Sequence, residues 1–165
     1  MLSAKHIGQE ELLFEDFKLI SLSTADKCWR RCKPEKRDIL VVSRGGGIGR
    51  TIISGHTGYC LMGSVLLFKP SILFDEHFLT FYLQSPIGNT RLRDTSGFSA
   101  QQAIYITHLQ RDYLIPVASL SEQRRIVAKV DQLMALCDKL EAKLTHAQDK
   151  SEALMGAVVH GLLAG

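Results

Sequence analysis

Apolar residues along this chain follow two periodicities, and the change falls near Pro116. Before it, short apolar runs alternate with Gly, Ser and Pro. Phe14-Glu15-Asp16-Phe17-Lys18-Leu19-Ile20 reads as an imperfect strand, and Ser23-Thr24-Ala25-Asp26 has the Ser-x-x-Asp form that opens a helix, over roughly 24–32. Asp38-Ile39-Leu40-Val41-Val42-Ser43 and Arg50-Thr51-Ile52-Ile53 are β-branched runs of strand length. Arg44-Gly45-Gly46-Gly47-Ile48-Gly49 between them reads as a tight turn whose glycines permit positive φ. Ser64-Val65-Leu66-Leu67-Phe68 is a third strand. Asp75 caps a helix over 76–85 with Phe78, Leu79, Tyr82 and Leu83 on one face, and a second short helix has Pro86 in its first turn and ends near Asp94. A polar loop, 95–102, follows, and the region ends in Tyr113-Leu114-Ile115-Pro116. Strands outnumber helices in irregular order, which predicts an α+β fold with a mainly β core and short helices.

Beyond Pro116 neither Pro nor Gly occurs until Gly156. Ser119-Leu120-Ser121-Glu122 is a capping box. Ile126, Val130, Leu133, Cys137, Leu140, Leu144, Ala147, Ser151, Leu154 and Val158 then recur in alternating steps of four and three, the heptad a/d spacing of a coiled coil. Only Ser151 breaks the apolar set, and charged residues such as Asp131, Asp138, Glu141 and Lys143 solvate the other faces. Forty-odd residues at about 1.5 Å each make a rod of roughly 60 Å. A domain of this size has a radius of gyration of roughly 14 Å, so the seam needs a partner helix. Folding back over its own domain is the alternative, and a globular neighbour favours a broader stripe than a/d alone. The expected organisation is a domain over 1–118 and one long C-terminal coiled-coil helix over 119–165.

Composition narrows the class. With 45% hydrophobic residues the 165-residue chain can bury a core. No run reaches the roughly 18 apolar residues of a membrane span, and a charge and a histidine come too early for a signal peptide, so a soluble, cytoplasmic protein is expected. The net charge of +3 is uneven: residues 1–120 hold fourteen Lys/Arg against eleven Asp/Glu, and 121–165 hold six of each. Lys27, Arg30, Arg31, Lys33, Lys36 and Arg37 crowd into eleven residues. That density suits contact with phosphates, and equally suits a solvated surface balanced by Asp26, Glu35 and Asp38.

Catalytic motifs fail on inspection. The glycine cluster lacks the lysine of a P-loop and the third-glycine spacing of a dinucleotide fold, and a strand follows it. A hairpin is favoured, with Arg44 and Arg50 flanking its tip and able to reach a groove or phosphates. Cys28, Cys32, His56 and Cys60 allow a loose zinc site to be drawn, but small half-buried cysteines are the default, and no metal or other cofactor is expected. The six histidines form no ligand or triad pattern. The chain reads as non-catalytic.

In order, these pieces resemble the specificity subunits of type I restriction–modification systems. The strongest match is Leu120-Ser121-Glu122-Gln123-Arg124-Arg125-Ile126-Val127-Ala128-Lys129-Val130-Asp131, continuing to Leu140-Glu141 and preceded by Ile115-Pro116. Weaker matches are Asp38-Ile39-Leu40 with Ser43-Arg44 and the glycines, Leu83-Gln84-Ser85-Pro86-Ile87-Gly88, and the loop from Gly97 to Gln101 and Gln102. The resemblance implies one target-recognition domain and one conserved helix, half of the family's usual tandem arrangement, in which paired antiparallel helices space two half-sites. Methylation and cleavage belong to separate modification and restriction subunits. A single recognition domain implies self-association. The family's domain begins tens of residues earlier, which implies an N-terminally incomplete domain, from a truncated gene product or a fragment.

Three readings follow. In the first, a helix-paired homodimer binds double-stranded DNA and directs the modification subunits and, through them, the restriction subunit. Arg44, Arg50, Arg91, Arg93, Gln101 and Gln102 are the candidates for base edges, and Arg30, Arg31 and Lys33 for phosphates. Ile126, Val130, Leu133, Cys137, Leu140, Leu144, Leu154 and Val158 would pair the helices. In the second, the chain is an assembly-only coiled-coil module that reads no DNA sequence. The third is a small enzyme built on His56 and the cysteines.

Overall fold

A computed structural model of the chain describes residues 1–9, 11–94 and 103–163, with side chains as far as 155. It divides into two compact units, Met1–Arg124 and Arg125–Gly165.

The first unit is organised on β1 (Ile39–Val42), which pairs antiparallel with β2 (Thr51–Ile53) on one side and β3 (Val65–Phe68) on the other. All four β1 residues are buried, and successive side chains point to opposite faces. Leu40 and Val42 enter a cluster with Leu2, Ile7, Leu12, Ile52, Leu61 and Val65. Ile39 and Val41 enter another, with Leu79, Leu83, Leu92, Ile104 and Leu109. Burial on both faces is why this strand is an unbroken apolar run rather than an alternating one. Each such side chain contributes about 1.5–3 kcal/mol of transfer free energy.

Among the described residues four α-helices accompany the sheet in this unit. α1 (Leu22–Arg31) is capped by Ser21, whose hydroxyl accepts from the Thr24 amide, two residues before the serine expected. α2 (Glu76–Gln84) begins as expected at Asp75, whose carboxylate accepts from the amides of His77 and Phe78. α3 (Pro86–Asp94) follows after one residue, and Ser85 serves both: its amide closes α2 and its hydroxyl accepts from Gly88. α4 (Ile106–Asp112) buries Leu109.

The α+β class expected from the sequence holds. Two details differ. Residues 14–20 form no strand: Phe14 stacks edge-on against both Phe17 and His56, so the run is held by ring contacts rather than a ladder. Among the described residues of this unit α-helices also outnumber strands, because α4 was not anticipated.

Two basic side chains fix the polar seams. Arg37, at φ 73°, holds buried Glu76 with two bonds of 2.6 and 2.7 Å. That bonding keeps the Glu76 carboxyl below its ordinary value against the opposing effect of burial. Lys69 donates to Glu35, to buried Asp38 and to the Lys33 carbonyl.

α5 (Leu120–Leu163) is one 44-residue helix whose first turn lies in the first unit. Ser119 accepts from the Glu122 amide. Gln123 is fully buried, its amide oxygen accepting from the Asp75 N–H and its NH2 donating to the carbonyls of Leu73 and Ala118. In the second unit Ile126, Leu133, Leu140, Leu144 and Leu154 are exposed, as are Met134, Leu136 and Met155. Val130 is half-buried and Cys137 exposed; the Val158 side chain lies outside the described residues. Among the described residues no helix is long and apolar enough to cross a membrane.

Candidate nucleic-acid interface

The sequence nominated nine side chains, and the structure places seven. Gln101 and Gln102 lie outside the described residues. Arg44 stands at the end of β1, exposed, its backbone bridged to Ala103. Among the described residues its guanidinium has no hydrogen-bond partner. The next residues make the expected turn between antiparallel strands, with Gly45 at φ 97° and Gly49 at φ 83°.

Arg50 and Arg93 share a groove of about 330 Å³ beside this turn, together with Gln9, Gln84 and Asn89. Both arginines are already engaged there. Arg50 donates to the Ile7 carbonyl at 2.9 Å. Arg93 donates to the Ile48 carbonyl at 2.9 Å and to the Asn89 amide oxygen at 2.7 Å. Arg91, on another face of α3, reaches the Tyr82 hydroxyl at 3.4 Å.

The phosphate candidates form a separate group. Arg30 and Arg31 end α1, where positive charge complements the carbonyl end of the helix. Lys33 lies 5.8 Å from the Trp29 ring centre. Arg31 and Lys33 line a second groove, of about 710 Å³, with Lys69 and an apolar floor that includes Leu61 and Val65. The structure therefore brings together Arg50 with Arg93, and Arg31 with Lys33, rather than one cluster.

Sequence reading passed over Gln84, Asn89 and Gln123. Each donates its side-chain NH2 to backbone carbonyls, Gln84 to that of Thr51, Asn89 to that of Gly49 and Gln123 to those of Leu73 and Ala118. The cue was present for Gln123 in the Glu-Gln of the matching helix start. For the other two no local pattern marks the partner.

The zinc drawing is not assembled: among the described residues no group of three or more His, Cys, Asp or Glu is placed to hold a metal. His56 packs on Phe14 instead. Cys60 is buried beneath α1, its thiol directed at the Ala25 carbonyl and pushed up first by burial and then by the neighbouring Cys28.

The type I restriction modification DNA specificity domain family matches residues 20–147. The type I restriction enzyme EcoBI specificity subunit of Escherichia coli is 31% identical over 124 residues, covering 74% of this chain and 26% of that protein. A chain from a solved structure of the type I R-M system, described for complex assembly and conformational transition, matches with a TM-score of 0.54 at 27% identity. That match covers 73% of this chain and 27% of the other. The chain thus spans about a quarter of the length of the relatives it matches. With the family match running from before α1 well into α5, the chain belongs to the type I restriction modification DNA specificity domains.

Proposed function

We propose that this chain is a non-catalytic DNA-recognition half of a type I restriction–modification complex, acting in the cytoplasm. It binds double-stranded DNA through the first unit, residues 1–118 carrying the recognition surface. It pairs with a second copy through the helix from residue 119 onward. The modification subunits, and through them the restriction subunit, are directed to the site so chosen. The observation that carries this reading is the exposed leucine seam of α5, Leu133, Leu140, Leu144 and Leu154. An apolar stripe of that length in water favours association, and a two-fold pair reads an inverted repeat. Arg44 is the base-reading candidate, with Arg91 beside it in role and Arg30, Arg31 and Lys33 for phosphates. Gln101 and Gln102 remain base-reading candidates.

A selection of bound duplexes from a random library tests this, with and without the co-purified modification subunit. Enrichment of a spaced inverted repeat is expected. Unenriched DNA whose binding collapses as salt rises overturns it in favour of an assembly-only helical module. One observation favours that second reading: Arg50 and Arg93 already bind backbone carbonyls of their own chain.

A further inference from the structure

The turn after β1 carries four glycines and one side chain of any size, Ile48. A turn of that composition populates many backbone states when left alone, and fixing each residue costs about 1–2 kcal/mol. Here backbone bonds close it, from Ile48 N–H to the Gly45 carbonyl, from Gly49 N–H to the Val42 carbonyl and from Arg50 N–H to the Gly47 carbonyl, and side chains from α2 and α3 hold it from outside. The Asn89 NH2 donates to the Gly49 carbonyl at 2.9 Å, and its amide oxygen accepts from Arg93 Nε at 2.7 Å. Arg93 in turn donates to the Ile48 carbonyl, and Gln84 to the Thr51 carbonyl just beyond the turn. Asn89 itself is fixed, its backbone N–H donating to Ser85 in the first turn of α3.

Asn89 and Gly49 fit each other closely. A Cβ on Gly49 would stand 2.6 Å from the Asn89 side-chain nitrogen. The bridge needs a group that donates on one side and accepts on the other, which a carboxylate or an alkyl chain does not provide. Arg44 enters the turn from β1 and is exposed. The arginines around the turn therefore differ: Arg93 holds its far end, Arg50 is spent on the Ile7 carbonyl, and Arg44 stands exposed at its start.

We infer that Asn89 is a positioning residue for DNA reading, bridging Arg93 and Gly49 so that the glycine turn presents Arg44 in one preset orientation. The inference rests on the DNA-recognition reading above. Preorganisation raises affinity by removing the ordering cost at the moment of binding.

The test is a double-mutant cycle on the full chain. Duplex binding is measured for the wild type, Asn89→Ala, Arg44→Ala and the double variant, under the conditions of the selection. The near-isosteric Asn89→Leu is run in parallel, and Trp29 fluorescence gives each unfolding midpoint. Asn89→Ala should weaken binding about ten-fold and leave the slope of log affinity on log salt unchanged, since no charge is removed. In the Arg44→Ala background it should cost nothing further. Equal losses in both backgrounds, or wild-type affinity in a folded Asn89→Leu, would overturn the positioning role alone. If the wild type binds no duplex, the DNA-recognition reading falls and this inference with it.

Discussion

At Gly88 a single hydrogen atom is all the space allows. A Cβ there would lie 1.9 Å from the Tyr82 carbonyl oxygen, a backbone atom that cannot turn aside. Its own carbonyl accepts from the Tyr113 hydroxyl, so the residue is fixed on both sides. Gly88→Ala should therefore destabilise the first unit by about 3 kcal/mol or more, the upper end of the overpacking range. Urea unfolding followed by the one tryptophan, Trp29, reads this unit directly. Glu76 makes a different kind of prediction. Arg37 hydrogen-bonds the carboxylate and lowers its folded pKa below the ordinary 4.5. A depressed acid stabilises the fold above its unfolded pKa and loses that contribution as pH falls through the folded one. The wild type should lose stability on acidification below about pH 4.5, and Glu76→Gln should flatten that part of the curve while being less stable at neutral pH. Parallel curves for the two proteins would show that the pair contributes nothing to acid sensitivity.

Elements were legible where the signal was local. Asp75 before an apolar face, Pro86 after a serine, and Ser119 three residues before Glu122 each mark a helix start through hydrogen bonds made within one turn. β1 was legible because a strand buried on both faces is continuous in its apolarity. The stretch from Phe14 to Ile20 misled because its aromatic spacing suits a strand, whereas the rings meet one another and His56. α4 has few signals of its own and is placed by Leu109 joining a distant core. The candidate site was legible only as a list of cations. Nothing local says that Arg93 and Arg50 bind carbonyls forty-odd residues away. Gln123 belongs to the same class. Removing its amide leaves the Asp75 N–H and the carbonyls of Leu73 and Ala118 without that partner, so Gln123→Ala should cost the first unit about 1–3 kcal/mol, again read by Trp29 unfolding. Along the rest of α5, the proposed pairing predicts a dimer for the wild type and a monomer for Leu140→Asp in sedimentation velocity, with the Trp29 transition unmoved. An unchanged mass would remove the leucine seam from any role in pairing.

For the whole molecule, excess positive charge and the apolar seam lie in different parts of the chain. The excess of Lys and Arg belongs to residues 1–120, and α5 is near balance, so the salt dependence of DNA binding should come from the first unit. Arg30→Ala with Arg31→Ala should reduce the slope of log affinity on log salt by about two without altering which sequences are preferred. A changed preference would move those residues from phosphate contact to base reading. The buried amide of Gln123 has a further consequence for anyone exchanging parts between such proteins. The visible change in composition invites a crossover at Pro116, yet the first turn of the helix is folded as part of what precedes it. A chimera joined at residue 118 would deprive the donor's globular half of the side chain that closes it, and would hand that side chain to a foreign surface. A crossover placed after Arg124 transfers both halves intact.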